Sequence, residues 1–166
     1  MFSSEISLPS DAAPPTAMAL KLWVVLSRAH AAIQRQAAAD VGRHGLTLGE
    51  FGILEALHHK GPLLLGDIQR KLLVSSGGIT YLVDRLERRG LVRRRPCRED
   101  RRATYAELTS EGSLFIGRIF PDHARHLERA TAGLSERERQ RAVTLLRKLG
   151  LAAGRAEISE AETPTP

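Results

Sequence analysis

The chain has 166 residues, of which 42% are hydrophobic, 27% charged and only 4% aromatic, and its net charge is +6. That balance suits one globular domain with a core of Leu, Val, Ile and Ala, a composition that favours helices. The one cysteine excludes an intrachain disulfide, no run approaches about 18 apolar residues, and the N-terminal residues lack a basic-then-apolar leader pattern. A cytoplasmic protein with no membrane partner is expected.

Residues 1–16, which include Pro9, Pro14 and Pro15, read as a disordered arm. A helix is predicted over 17–41, where Leu22, Val25, Leu26, Ala29 and Ile33 recur at helical spacing between Pro15 and Gly42. Thr47-Leu-Gly-Glu50 is a capping box, in which each side chain satisfies the other residue's free backbone N–H. The helix it opens carries Leu48, Phe51, Leu54 and Leu57 on one stripe and ends at Gly61-Pro62. Leu63–Leu65 reads as a short strand. Gly66-Asp67 opens a brief helix with Ile68 and Leu72 inward.

After Leu73-Val74-Ser75 a fourth helix runs over 76–89, stopped by Gly90. Two strand-like runs, 91–95 and 104–108, flank a polar hairpin loop over 96–103. Thr109-Ser-Glu-Gly112 opens a fifth helix, kinked at Pro121, where a backbone donor is missing. A second capping box, Ser135 to Glu138, begins the last helix, which reaches about residue 150. Residues 153–166 read as a disordered tail. The predicted fold is mostly α: six helices plus a small β-hairpin.

The fourth helix buries Ile79, Leu82, Val83 and Leu86, at i, i+3, i+4 and i+7. Its opposite face shows Gly77, Thr80, Tyr81, Asp84, Arg85 and Arg88. Hydroxyls there can bond phosphates, Thr and Tyr can touch thymine methyls, and an arginine can grip guanine with a fork of donors. Gly77 and Gly78 each cost the helix about 1 kcal/mol relative to Ala, which a close approach to a partner would explain; Ser75 or Ser76 serves as the cap. Nine arginines lie between Arg85 and Arg102, opposed only by Glu87, Glu99 and Asp100. Arg98, Arg101 and Arg102 sit at the hairpin tip, suited to a narrow minor groove, with Asp100 placed to hold Arg102 by a charged hydrogen bond. The competing reading is an ordinary surface helix and a solvated charge run.

The segment Asp100-Arg101-Arg102, then five residues, then Leu108-Thr109-Ser-Glu-Gly112, resembles the wing signature of the MarR family. Val83 to Val92 resembles the end of that family's recognition helix, and the helix order agrees over about residues 17–150. The resemblance implies a winged helix-turn-helix domain over 17–152, with a DNA-binding lobe at 45–108 and dimerisation helices at 17–41 and 109–150. It implies a homodimer joined through Trp23, Leu26, Leu114, Ile116, Ile119, Leu145 and Leu149. Each protomer would place helix 76–89 in a major groove and residues 97–102 in the flanking minor groove of a pseudo-palindromic operator on double-stranded DNA. Ser75, Ser76, Gly77, Thr80, Tyr81, Arg85, Arg98, Asp100, Arg101 and Arg102 are the expected DNA contacts.

The resemblance also implies a repressor released by a small aromatic or phenolic ligand, or by oxidation. Gly77 to Asp84 and Arg95 to Arg102 look most like the quinone- and electrophile-responsive branch. Trp23, His30, Phe51 and His58 would line the ligand pocket, each having plain packing as its alternative. Cys97 lies between Arg95 and Arg98, which favour a thiolate, against Glu99 and Asp100; a redox role stands beside that of an incidental thiol. His123 and His126, or His58 and His59, could assemble a metal site, but no ligand motif supports one, and solvent-facing histidines are the alternative. No cofactor is expected. An enzyme is disfavoured, since no nucleophile elbow, phosphate loop or paired carboxylates occur. A winged-helix protein-interaction module, or a redox- or metal-sensing regulator of the same fold, remains the alternative.

Overall fold

The computed structural model describes residues 14–72, 76–97 and 103–161. The described elements are α1 (Pro14–Gly42), α2 (Leu48–Lys60), β1 (Leu63–Leu64), α3 (Leu65–Leu72), α4 (Ser76–Arg88), β2 (Val92–Pro96), β3 (Thr104–Leu108), α5 (Ser110–Ala130) and α6 (Glu136–Ala161). The architecture is mostly α with a small antiparallel sheet, as expected. The chain divides into two compact units at Leu127/Glu128.

The core lies in the first unit. Phe51, Ile53, Leu54 and Leu57 of α2 meet Ile68 of α3, Ile79, Val83 and Leu86 of α4, and Ile116 and Ile119 of α5. Val41 and Leu46 close it from the α1 side, and Leu91, Val92 and Ala106 from the sheet. Ile116 and Ile119 are therefore not free for a dimer contact, as the sequence reading had them. They are 0% and 2% exposed, because α5 turns that stripe onto α2 and the sheet.

The sheet order is β1-β3-β2, with Val92 opposite Leu108 and Pro96 opposite Thr104. The Leu63–Leu64 strand joins as a third member, Leu63 opposite Ala106. Gly90, at φ 71°, ends α4 by letting its own N–H reach Glu87 O and the next N–H reach Leu86 O.

The Leu-Thr-x-x-Gly spacing has a structural cause. Thr109 Oγ1 donates to Gly90 O at 2.6 Å and accepts from Gly112 N at 2.9 Å, while Thr109 N donates to Leu91 O at 3.1 Å. A Cβ at Gly112 would lie 1.9 Å from Leu91 O, so only glycine lets α5 sit on the turn that feeds the sheet. Thr109 thus caps α5 and ties it to the end of α4.

Some boundaries differ from expectation. α1 begins at Pro14, since proline is tolerated in a first turn. α6 continues to Ala161, so residues 153–161 are helical rather than part of a disordered tail. Ala and Glu make up most of that stretch and no proline occurs before Pro164, so Gly150 and Gly154 do not stop the helix. α5 stays helical through Pro121. Both capping boxes form: Glu50 Oε2 accepts from Thr47 N at 2.8 Å, and Glu138 Oε2 accepts from Ser135 N at 2.8 Å.

Candidate nucleic-acid interface

α3 and α4 form the helix pair, and α4 buries Ile79, Val83 and Leu86 against α2, α3 and the sheet. That docking leaves Gly77, Thr80, Tyr81 and Arg88 exposed on the other face, with Tyr81 57% exposed. A Cβ at Gly77 would meet nothing within 4 Å, so nothing in the described protein requires glycine there. Ser76 is the first helical residue. Ser75, Arg98, Asp100, Arg101 and Arg102 lie outside the described residues, as does the expected Asp100–Arg102 hydrogen bond.

Arg85 is more constrained than its place on the outer face suggested. Its Nε lies 3.0 Å from Glu50 Oε1, and Glu50 is completely buried. The contact is one of charge rather than an aligned hydrogen bond, since Oε1 has no hydrogen-bond donor among the described residues. A buried carboxylate needs such a countercharge. The Tyr81 side chain and, after it, the charge of Glu50 hold the Arg85 guanidinium above its ordinary pKa. Sequence reasoning recognised Glu50 as a cap and missed this second role. One carboxylate does both: Oε2 closes the capping box with Thr47, and Oε1 faces Arg85.

The other arginines of the run are also tied to the protein. Arg94 contacts Asp84 at 2.7 Å and Glu87 at 2.5 Å. Burial works against its charge, but the hydrogen bonds to the two acids outweigh burial and raise its pKa. Arg93 and Arg95 share Glu107 at 2.6 and 3.2 Å, and the two together hold that carboxyl below its ordinary range. Arg89 donates to the carbonyls of Gly45 and His44. The reading in which only Glu87, Glu99 and Asp100 oppose the run is therefore corrected. Sheet pairing and helix packing bring in Glu50, Asp84 and Glu107, which the linear window hid.

Cys97 is half-buried, and its N–H donates to Ala103 O at 3.0 Å beyond the last strand pair. Of the residues expected to line a ligand pocket, Trp23, His30 and His58 are exposed, while Phe51 is buried against His123 with ring centroids 4.3 Å apart. A depression of about 310 Å³ where the start of α3 meets the start of β3 is lined by other residues, Leu64, Leu65, Gly66, Asp67, Arg70, Ala103 and Thr104.

The histidines of α5 are not solvent-facing. His123 is 7% exposed and its Nδ1 lies 2.6 Å from Oδ2 of the buried Asp40. His126 Nδ1 lies 3.8 Å from Asp40 Oδ1. Among the described residues no group of three His, Cys, Asp or Glu is placed to hold a metal ion. The sequence did carry a clue to Asp40. An acidic residue in the last turn of a helix opposes the helix dipole and needs a compensating partner.

The MarR family model matches residues 44–103. The HTH-type transcriptional regulator MhqR of Bacillus subtilis (strain 168) is 41% identical over 138 residues, covering 83% of this chain and 95% of that protein. Among solved structures, a mutant MarR from E. coli complexed with operator DNA has a TM-score of 0.72 at 21% identity, covering 80% of this chain and 95% of its own. Bordetella bronchiseptica BpsR, studied for the regulation of its DNA binding by 6-hydroxynicotinic acid, has a TM-score of 0.69 at 25% identity, covering 76% and 90%. Helix order, the Thr109–Gly112 junction and this similarity agree: the chain belongs to the MarR family and is a winged helix-turn-helix, DNA-binding transcriptional regulator.

Proposed function

We propose that the chain acts as a non-enzymatic, cytoplasmic homodimer that represses transcription from a pseudo-palindromic operator and is released by a small aromatic or phenolic effector. The observation that carries the reading is the outer face of α4. Thr80 and Tyr81 stand exposed there beside a Gly77 that no contact among the described residues requires. A helix face with hydroxyls and a clear first turn suits a major groove. Ser75, Ser76, Gly77, Thr80, Tyr81 and Arg85 would contact the groove, and Arg98, Asp100, Arg101 and Arg102 the flanking minor groove. No helix among the described residues is long and apolar enough to cross a membrane.

The homodimer is supported by apolar side chains left uncovered in each unit. In the first unit, Met18, Trp23 and Leu114 are exposed; in the second, Val143, Leu145 and Leu151 are. Faces of this kind mark an association surface. The effector class rests on BpsR, whose DNA binding is regulated by 6-hydroxynicotinic acid. The similarity to MhqR supports the quinone- and electrophile-responsive branch.

Binding-site selection on random duplex DNA, at two salt concentrations, tests the reading. A two-fold symmetric motif with affinity falling steeply in salt is expected. Failure to enrich any motif would overturn it. Quinones and phenols are then screened for release of the selected operator.

A further inference from the structure

We propose that Glu50, although on α2 and wholly buried, sets the base preference of the recognition helix by holding Arg85 as a preformed fork for a guanine. The proposal rests on the reading of α4 as the major-groove helix.

The α2 N-terminus packs tightly against the middle of α4. A Cβ at Gly49 would come within 2.8 Å of Leu82 Cδ1, so the missing side chain there leaves room for Leu82 of α4. Glu50 follows Gly49 and is fully buried. Its Oε2 accepts from both the N–H and the hydroxyl of Thr47, at 2.8 and 2.9 Å, which leaves the carboxylate little freedom to turn. The remaining oxygen, Oε1, faces Arg85 Nε at 3.0 Å.

Arg85 is i+4 from Tyr81, on the same helix face, and its Cζ lies 5.8 Å from the Tyr81 ring centroid. Its side chain remains 34% exposed. Guanidinium has five N–H donors in one plane. With Nε drawn to Glu50 and the Tyr81 side chain hydrogen-bonded to the same guanidinium, the remaining donors of the terminal nitrogens can approach guanine O6 and N7. An arginine held this way does not lose its rotamer freedom at the moment of binding. Glu50 touches no base and is a positioning residue; Arg85 makes the contact.

The test uses the full-length dimer and the operator found by selection. Each conserved guanine is replaced in turn by 7-deazaguanine, which lacks N7, and each thymine by uracil, which lacks the methyl group. In the wild type, one symmetry-related pair of guanines should show a loss of about tenfold or more. Glu50→Gln keeps an N3 residue able to complete the capping box but removes the charge. It should abolish the 7-deazaguanine penalty at that pair while leaving the salt slope and the uracil penalties unchanged.

Arg85→Lys keeps a charge beside Glu50 and lacks the fork. It should shrink the same penalty, since an ammonium can bond N7 but cannot grip O6 and N7 in one plane, even if Glu50→Gln fails to fold. Retention of the full penalty in either variant, or a uniform loss on all DNA sequences, overturns the proposal. A wild type with uracil penalties and no 7-deazaguanine penalty overturns it while leaving α4 in the groove. Absence of both kinds of penalty removes the groove reading itself.

Discussion

His123 Nδ1 lies 2.6 Å from Asp40 Oδ2, a buried contact that joins α5 to the last turn of α1 across 83 residues of sequence. Arg43, one turn on from Asp40, pairs with its other oxygen. Burial disfavours the Asp40 carboxylate. The hydrogen bond with His123 and the charges of Arg43, His126 and His123 outweigh burial and hold its pKa below the ordinary value. A depressed folded-state pKa contributes stability that is complete above the unfolded value of about 3.9 and disappears as pH falls through the folded one. Urea midpoints should therefore fall on acidification below about pH 4, and Asp40→Asn should flatten that limb. At neutral pH, Asp40→Asn should cost about 1–3 kcal/mol, since an amide cannot replace the charge beside His123 and Arg43. An unchanged acid limb in Asp40→Asn would show that the pair does not govern it.

Gly112→Ala should destabilise the fold by about 1–3 kcal/mol or more. The added methyl meets a backbone carbonyl, Leu91 O, and not a side chain that can swing away. Denaturant unfolding measures the loss. DNA binding should weaken with it, because the same junction sets β2 and β3 against α4.

Gly77→Ala separates folding from binding. Replacing glycine in the first turn of α4 should stabilise the protein by about 0.5–1 kcal/mol, since the methyl meets nothing among the described residues. Operator affinity should fall in the same variant if the first turn lies against DNA. A variant both more stable and equally tight in a mobility-shift titration would place α4's first turn away from the duplex.

Arg102→Ala should weaken operator binding by about 1–3 kcal/mol without altering the melting temperature. Arg85, Arg89, Arg93, Arg94 and Arg95 already have acidic or carbonyl partners. Arg98, Arg101 and Arg102 are therefore expected to supply much of the remaining positive charge to DNA. Titration at two salt concentrations, alongside thermal melts, checks both halves of the prediction.

Local chemistry made much of this protein legible from its residues. Capping boxes at Thr47 and Ser135, glycine stops at Gly61 and Gly90, and the period of Ile79, Val83 and Leu86 depend on neighbours three or four residues away. They located the helices, the buried face of α4 and, through the Thr109–Gly112 spacing, the family. What the sequence could not rank was which polar groups meet across the fold. Glu50 read as a cap and also became the countercharge of Arg85; His123 read as solvent-facing and was drawn into the core by Asp40. Ile116 and Ile119 read as a dimer seam and were buried within the first unit, and the arginine run lost much of its excess to Glu50, Asp84 and Glu107. These outcomes depend on contacts between residues distant in sequence. Only packing decides such pairings, because a buried charge takes whichever partner the tertiary structure brings within a few ångströms.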